Sequence, residues 1–257
     1  MKKSLILRAE INAIKWIEAI GTISEWSKNK ESRYVCICNV HSVVTAYLDK
    51  NFATVINQAD LATPDGAPIA WALRQIGHRG QERINGPDLM LKYCSHAENT
   101  GESIFLYGGT QETLDVLQSV LSKKFPKLRV AGAYSPPFRK LTSTEEDQII
   151  SMINSSGAGT VWVSLGCPKQ ENWMAHHRGK IQAVMIGVGA AFDYHAGTIT
   201  RAPDWMQRFG LEWMHRLCAE PKRLWRRYLV TNTIFIALIL KSIINGRLNR
   251  STLKTDQ

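Results

Sequence analysis

Thr160-Val-Trp-Val-Ser-Leu165 runs directly into Gly166-Cys-Pro-Lys-Gln-Glu171. The first segment is a short, nearly continuous apolar run; the second is a glycine and a proline leading into polar residues that open a helix. Continuous rather than alternating apolarity marks a strand covered on both faces, the habit of parallel sheets flanked by helices. The same cadence recurs outward in both directions. Runs at residues 34–38, 103–107, 128–133 and 184–188 read as further strands, with a short one near Leu61. Helix-length stretches lie near residues 42–50, 67–77, 87–99, 110–124, 144–154 and 169–178. Residues 10–28 read as an amphipathic helix, with Ile11, Ile14, Ile17 and Ile23 spaced for one face. The pattern predicts an α/β fold built on a doubly wound, mainly parallel sheet.

Ligands on such sheets sit outside the carboxyl ends of the strands. Three of the loops there carry glycine: Gly108-Gly109, Gly166, and Gly187-Val-Gly189. Glycine lets backbone amides approach a phosphate, and a helix N-terminus behind it adds favourable partial charge. Together they point to a diphosphate-containing ligand. None is a dinucleotide fingerprint, since Cys38-Asn-Val-His41 stands after the first long strand, and Gly-x4-Gly-Lys-Ser/Thr does not occur. That argues against a nicotinamide oxidoreductase and a P-loop nucleotidase.

Composition narrows the class further. The chain has 257 residues, 44% hydrophobic and 21% charged, a globular balance and not a disordered one. No apolar run reaches the 18 or so residues of an ordinary membrane-spanning helix. The start, MKKSLILRAE, has only Leu5, Ile6 and Leu7 as an apolar core, too short for a secretory signal, so a cytoplasmic chain is expected. Five cysteines with no regular spacing fit a reducing compartment. Cys36-x-Cys38 and His41 lack the second ligand pair of a zinc site and read as buried strand residues.

The net charge of +10 is uneven: residues 199–257 hold 11 Lys and Arg against 4 Asp and Glu, whereas residues 1–198 are nearly balanced. The organisation expected is an α/β core over 1–198 and a basic amphipathic C-terminal appendage over 199–257. Pro221 opens a helix that runs into an apolar stretch at 229–240, interrupted by Thr231-Asn-Thr233, and Lys241, Arg247, Arg250 and Lys254 follow. Apolar residues between basic flanks, with Trp and Tyr at the borders, suit a membrane interface. Twelve helical residues reach about 18 Å, short of the roughly 30 Å hydrocarbon core, so the segment should lie on or dip into an anionic bilayer. A helix closing on the core is the competing reading. Nucleic acid is the poorer partner, having little use for apolar residues beside the cations.

A series of motifs now stands in order. They are Asn39-Val-His-Ser, Ala62-Thr-Pro-Asp-Gly66, Glu82-Arg-Ile-Asn-Gly-Pro-Asp88, Phe105-Leu-Tyr-Gly-Gly109, Ser135-Pro-Pro-Phe138, Leu165-Gly-Cys-Pro-Lys-Gln-Glu171, Gly187-Val-Gly-Ala-Ala-Phe-Asp193, Arg201-Ala-Pro and Gly210-Leu-Glu-Trp, ending in Glu220-Pro. With them the chain closely resembles the WecG/TagA/CpsF family of bacterial glycosyltransferases (glycosyltransferase family 26), from about Tyr34 to Tyr228. The resemblance implies an inverting transferase at the cytoplasmic face of the inner membrane, associated with it peripherally. It would move a sugar from a UDP-sugar donor to a polyprenyl-diphosphate-linked saccharide, feeding a surface polysaccharide such as exopolysaccharide, capsule or teichoic acid. It also implies self-association. No cofactor is implied. No Asp-x-Asp occurs, the usual way of holding a metal on a nucleotide diphosphate, so metal-independent transfer is expected.

Direct displacement needs one base for the acceptor hydroxyl and cations or dipoles for the departing diphosphate. The resemblance places the base at Asp65, in a Pro-Asp-Gly turn with Gly66, and a functional glutamine at Gln170. A threonine that several relatives carry two residues before Asn39 is replaced by Ile37, so its role does not carry over; Asn39 remains able to bond ligand. Arg83, Asn85 and Asp88 fit sugar or phosphate contacts, or a simple pairing of Asp88 with Arg83 at a helix start. Tyr107, Gly108, Gly109, Gly166, Gly187 and Gly189 should flank the nucleotide, and Lys169 is a diphosphate contact or a solvated first-turn lysine. Arg216, Arg223 and Arg226 are the appendage cations for diphosphate or lipid phosphate. The competing class is a non-catalytic nucleotide- or nucleic-acid-binding protein with a basic tail, for which Asp65 would be dispensable.

Overall fold

The computed structural model describes residues 2–244. In chain order the elements are β1 (Lys3–Ile6), β2 (Ala9–Asn12), α1 (Trp16–Lys28), β3 (Arg33–Cys38), α2 (Val40–Leu48), α3 (Lys50–Asn57), β4 (Leu61–Pro64) and α4 (Ala67–Gln75). Next come α5 (Gly86–Thr100), β5 (Ser103–Gly108), α6 (Gln111–Lys124), β6 (Arg129–Tyr134), α7 (Ser143–Ser156), β7 (Thr160–Ser164), α8 (Lys169–His177) and β8 (Val184–Gly187). The last are α9 (Ala191–Ala196), α10 (Asp204–Arg208), α11 (Glu212–Ala219) and α12 (Pro221–Ile244). Arg247, Arg250 and Lys254 of the basic tail lie outside the described residues.

Six strands form one sheet in the order β4-β3-β8-β7-β5-β6. β3 pairs parallel with β8, β8 with β7, β7 with β5 and β5 with β6. This is the mainly parallel α/β sheet that the apolar runs predict. β5 is buried along its whole length, as are Val161, Trp162 and Val163 of β7. The chain passes from β5 to β6 on one side and from β7 to β8 on the other, so the loops after β5 and β7 part in opposite directions. A crevice at such a reversal is where open α/β sheets take ligands.

Two sequence readings are corrected. Residues 10–28 are not one helix: β1 and β2 form an antiparallel hairpin, and α1 starts only at Trp16. Ile11 is buried from β2, while Ile17, expected on the inner face of a helix, is 79% exposed. Over so few residues the periods 2 and 3.6 are hard to separate, and tertiary pairing decides. Asn12 of the hairpin accepts the Ala62 N–H at 2.8 Å, holding β2 beside β4. The stretch near 42–50 likewise continues as a second helix, because Asp49 ends α2 and its carboxylate accepts the Asn51 and Phe52 N–H groups at the start of α3.

Contacts gather into two compact units, one from the described parts of 1–15, 37–85 and 201–257, the other from 16–36 and 86–200. In the second unit, Glu102 sits buried at the start of β5 and accepts from Ser24 of α1 at 2.6 Å and Tyr93 of α5 at 2.5 Å. Burial alone would raise this carboxyl, but hydrogen bonds from Ser24, Tyr93 and Thr100 hold it below the usual range. In the first unit, α12 packs against α2. It runs unbroken from Pro221, and the Thr231 hydroxyl within the polar interruption donates to the Arg227 carbonyl at 2.7 Å. Leu224, Phe235 and Ile239 face inward, whereas Trp225, Leu229, Val230, Ile236 and Leu240 are exposed. Among the described residues no helix is long and apolar enough to cross a membrane.

Candidate active site

Asp65 stands immediately past the end of β4. Its N–H donates to the Cys38 carbonyl at 2.9 Å, and the Ile84 N–H donates to the Pro64 carbonyl at 2.8 Å. Those two bonds bring three motifs side by side: Asn39 after β3, Pro64-Asp-Gly66 after β4, and the turn holding Arg83 and Asn85. Asn39 caps α2, its Oδ1 accepting the Ser42 N–H at 3.2 Å, and its side chain also hydrogen-bonds the Asp65 carboxylate. One asparagine thus serves both the helix and the site.

The tail adds charge to this group. Arg83 Nη1 lies 3.2 Å from Glu212 Oε2 of α11, and its Nη2 donates to Gln207 Oε1 at 3.1 Å. Arg216 of α11 also faces Asp65. Arg201 Nη2 donates to Asn85 Oδ1 at 3.5 Å, at the long limit of a hydrogen bond. Asp65 keeps part of its surface open, yet burial pushes its carboxyl up from 3.8 to about 6. The Glu212 charge pushes the same way; Arg83, the Asn39 bond and Arg216 oppose it. A carboxyl with this value is ionised at neutral pH and still basic enough to take a proton.

The second unit carries the glycine loops, and they are stitched together. A Cβ on Gly108, which has φ +110°, would come within 2.4 Å of the Ser164 carbonyl oxygen, so only glycine lets the ends of β5 and β7 approach so closely. The Gly109 N–H donates to that same oxygen at 3.1 Å, and the Ser135 hydroxyl donates to the Gly109 carbonyl at 2.7 Å. Ser164 Oγ donates to the Gly189 carbonyl at 2.7 Å. Gln170 completes the rim: its Oε1 accepts the N–H groups of Gly166 at 3.2 Å and Gly189 at 3.0 Å, while its Nε2 donates to Glu171 at 2.9 Å. Gly187 ends β8 in register with Cys36 and Val163. Lys169, exposed, begins α8, whose N-terminus has no side-chain cap.

The chain matches the glycosyl transferase WecG/TagA/CpsF family over residues 5–249. It belongs to this family. Among similar proteins is the N-acetylglucosaminyldiphosphoundecaprenol N-acetyl-beta-D-mannosaminyltransferase of Bacillus subtilis (strain 168), 31% identical over 74% of this chain and 73% of the relative. The protein of that name from Bacillus spizizenii (strain W23) is 32% identical over 76% and 74%. Its namesake from Staphylococcus aureus (strain NCTC 8325) is 25% identical over 92% of each chain.

For this WecG/TagA/CpsF member the structure groups Asn39, Asp65, Gly66, Arg83 and Arg216 in the first unit, with Asn85 in the same turn as Arg83. Gly108, Gly109, Gly166, Gln170 and Gly189 form the bonded rim of the second. Other expected contacts are placed differently. The Tyr107 ring is buried, stacked against Tyr134 and Trp173 with centroids 6.2 and 4.3 Å away. Asp88 sits in the first turn of α5, while the partners of Arg83 are Glu212 and Gln207. Arg223 pairs with Glu220, and exposed Arg226 lies over the Trp225 ring. Gln207 and Glu212 are the residues that motif reading missed. The available signal was charge contrast, since Glu212 is one of very few acids in a strongly basic tail.

Proposed function

We propose that this chain transfers an N-acetylhexosaminyl group, with inversion, from a UDP-sugar to a polyprenyl-diphosphate-linked saccharide, as a step in the synthesis of a bacterial surface polysaccharide. One observation carries the reading: Asp65 stands partly open at the end of β4, its carboxyl pushed up to about 6, with Arg83 and Arg216 facing it. Family membership supports it, and so do the relatives' names, which specify an undecaprenyl-diphosphate-linked acceptor and a transferred β-N-acetylmannosaminyl group.

In the proposed step the ionised Asp65 takes the proton of the acceptor hydroxyl as its oxygen bonds the sugar C1. The C1–O bond to the diphosphate breaks, UDP departs with the electron pair, and Asp65 later releases the proton to water. The glycine rim, the uncapped start of α8 and Lys169 suit the nucleotide diphosphate, through amide and ammonium donors. Arg83 and Arg216 are cations suited to charge developing on the leaving oxygen, a requirement the protein would meet without a metal.

The exposed face of α12 suits an anionic membrane surface at the cytoplasmic side. Trp225, Leu229, Val230, Ile236 and Leu240 are apolar and outward, and Lys222, Arg223 and Arg226 are exposed beside them. The assay is transfer in anionic vesicles containing a polyprenyl-diphosphate-saccharide, with a panel of UDP-sugars and EDTA present, wild type beside Asp65→Asn. Transfer from one donor that survives EDTA and is lost in the variant is the expected result. Undiminished transfer by Asp65→Asn would overturn the assignment of the base and revive the non-catalytic nucleotide-binding reading.

A further inference from the structure

The Asp65 group contains a second carboxylate that the proposed transfer does not use. Glu212 lies on α11 in the tail, yet it is held close to the turn that carries Asp65. The preceding Gly210 packs against the start of α4 so tightly that a Cβ there would come within 2.8 Å of the Ala67 Cβ. The Leu211 N–H closes that bend on the Met206 carbonyl at 2.7 Å. Any side chain at 210 would push α11, and Glu212 with it, away from residues 65–67.

What Glu212 does there follows from its partner. Arg83 is a long, rotamer-rich side chain on an irregular turn, and left to itself its planar fork would sample many orientations. Two tail side chains engage its two terminal nitrogens: Glu212 takes Nη1 at 3.2 Å and Gln207 takes Nη2 at 3.1 Å. Gln207 is itself anchored, its Nε2 donating to the Ala202 carbonyl at 2.7 Å. Arg83 and Glu212 are both mostly buried, with side-chain exposures of 20% and 23%, so the pair is less screened than a surface ion pair.

We propose that Glu212 is a positioning residue of the transferase: together with Gln207 it fixes the Arg83 guanidinium toward Asp65, so that the tail supplies the acid that orders the site as well as a cation. This rests on the reading of Asp65 as the base. The charged groups facing Asp65 are Arg83 from its turn and Glu212 and Arg216 from α11. From α12, Tyr228 faces Glu212, Arg216 and Asp65, with Arg227 beside it. Removing the Glu212 charge therefore has two separable effects. Arg83 is released, and Asp65 becomes the stronger acid and the weaker base.

The test uses the full chain in anionic vesicles with N-acetylglucosaminyl-diphospho-undecaprenol and UDP-N-acetylmannosamine, comparing Glu212→Gln, Glu212→Asp, Gln207→Met, Arg83→Ala and the Glu212→Gln/Arg83→Ala double variant. Glu212→Gln should lower kcat/KM about tenfold, mostly in kcat, with Glu212→Asp recovering part of the loss and Gln207→Met losing less. In the Arg83→Ala background Glu212→Gln should cost much less than in wild type, only the part that comes from the weaker base, the mark of residues that act together. A readout needing no donor is the carboxyl titration of Asp65 by carbon NMR, assigned with Asp65→Asn, whose midpoint should fall in Glu212→Gln. Additive losses in the double variant, or a wild-type rate with an unmoved midpoint in Glu212→Gln, would overturn the proposal. If Asp65→Asn keeps its rate, the base reading falls by itself, and the coupling between Glu212 and Arg83 still decides the positioning role.

Discussion

Arg83 and Glu212 meet at 3.2 Å across 129 residues of chain, one on the turn after α4 and the other on the first turn of α11. The contact makes the C-terminal tail part of the group around Asp65. The charge of the tail is therefore not simply a surface property. Arg216 faces Asp65, whereas Arg226 lies exposed over the Trp225 ring and Arg223 pairs with Glu220. Tail cations thus divide between the Asp65 group and the surface.

Asp65 should destabilise the protein that it serves. Its folded value, about 6 against an ordinary 3.8, means that between those two values the native state still holds a proton the unfolded chain has lost. The stability associated with that proton is fully present below the ordinary value and is lost as pH rises through about 6. Asp65→Asn removes the cost of ionisation, so at pH 8 it should be more stable than wild type by about 1–3 kcal/mol and unfold at a higher temperature. The gap should shrink at pH 5. Calorimetry at the two pH values checks it, and a variant less stable than wild type at pH 8 would contradict the burial argument.

The rate should follow the same group. If Asp65 must be ionised to accept the hydroxyl proton, kcat/KM falls about tenfold per unit as pH drops below about 6. A flat profile from pH 8 to pH 5, with the protein still folded, would mean that another group takes the proton.

Gln170 should behave as a strut. Its carbonyl holds the amides of Gly166 and Gly189, so Gln170→Ala leaves two N–H groups without that acceptor and unties the loops after β7 and β8. A loss of about 2–3 kcal/mol in stability is expected, with weaker nucleotide binding. Denaturant unfolding and UDP titration measure both. Full stability in Gln170→Ala would show that the rim does not depend on it.

Gly108→Ala should be among the most damaging single-methyl additions. The new Cβ would meet the Ser164 carbonyl oxygen at 2.4 Å, on a backbone with φ +110°. The ends of β5 and β7 must part, at a cost of about 2–4 kcal/mol and of the rim geometry. A melting curve superimposable on wild type would refute this.

On the outer face of α12, replacing Leu229 and Ile236 by Asp should leave folding intact, because both are more than half exposed, at 62% and 58%. Sedimentation with anionic vesicles should drop severalfold, while the inward residues Leu224, Phe235 and Ile239 stay packed. Unchanged sedimentation would remove this face as the membrane contact.

Much of this protein follows from local chemistry, and was legible for that reason. Continuous apolar runs such as the one through Trp162 can satisfy their side chains only when covered on both faces, which dictates a parallel α/β sheet wherever the chain is placed. Glycines after the strands mark the close turns at the strand ends because their backbone freedom is a property of the residue itself. Pro64-Asp-Gly66 announces a turn at a strand end, and the family resemblance supplies the role of its aspartate. Other features could come only from the tertiary structure. Ile11 obeys a helical spacing but pairs in a hairpin, since period 2 and period 3.6 coincide over a few residues and the neighbouring strand decides. Tyr107 belongs to a glycine motif at a strand end, yet packing turns its ring into the core. Asp65 owes its raised carboxyl to burial and to Glu212, which lies 147 positions further along the chain, and Arg83 owes its orientation to Gln207 and Glu212 of the same tail. Charge and burial at a point are sums over everything that folding brings there, and no local pattern in the sequence contains that sum.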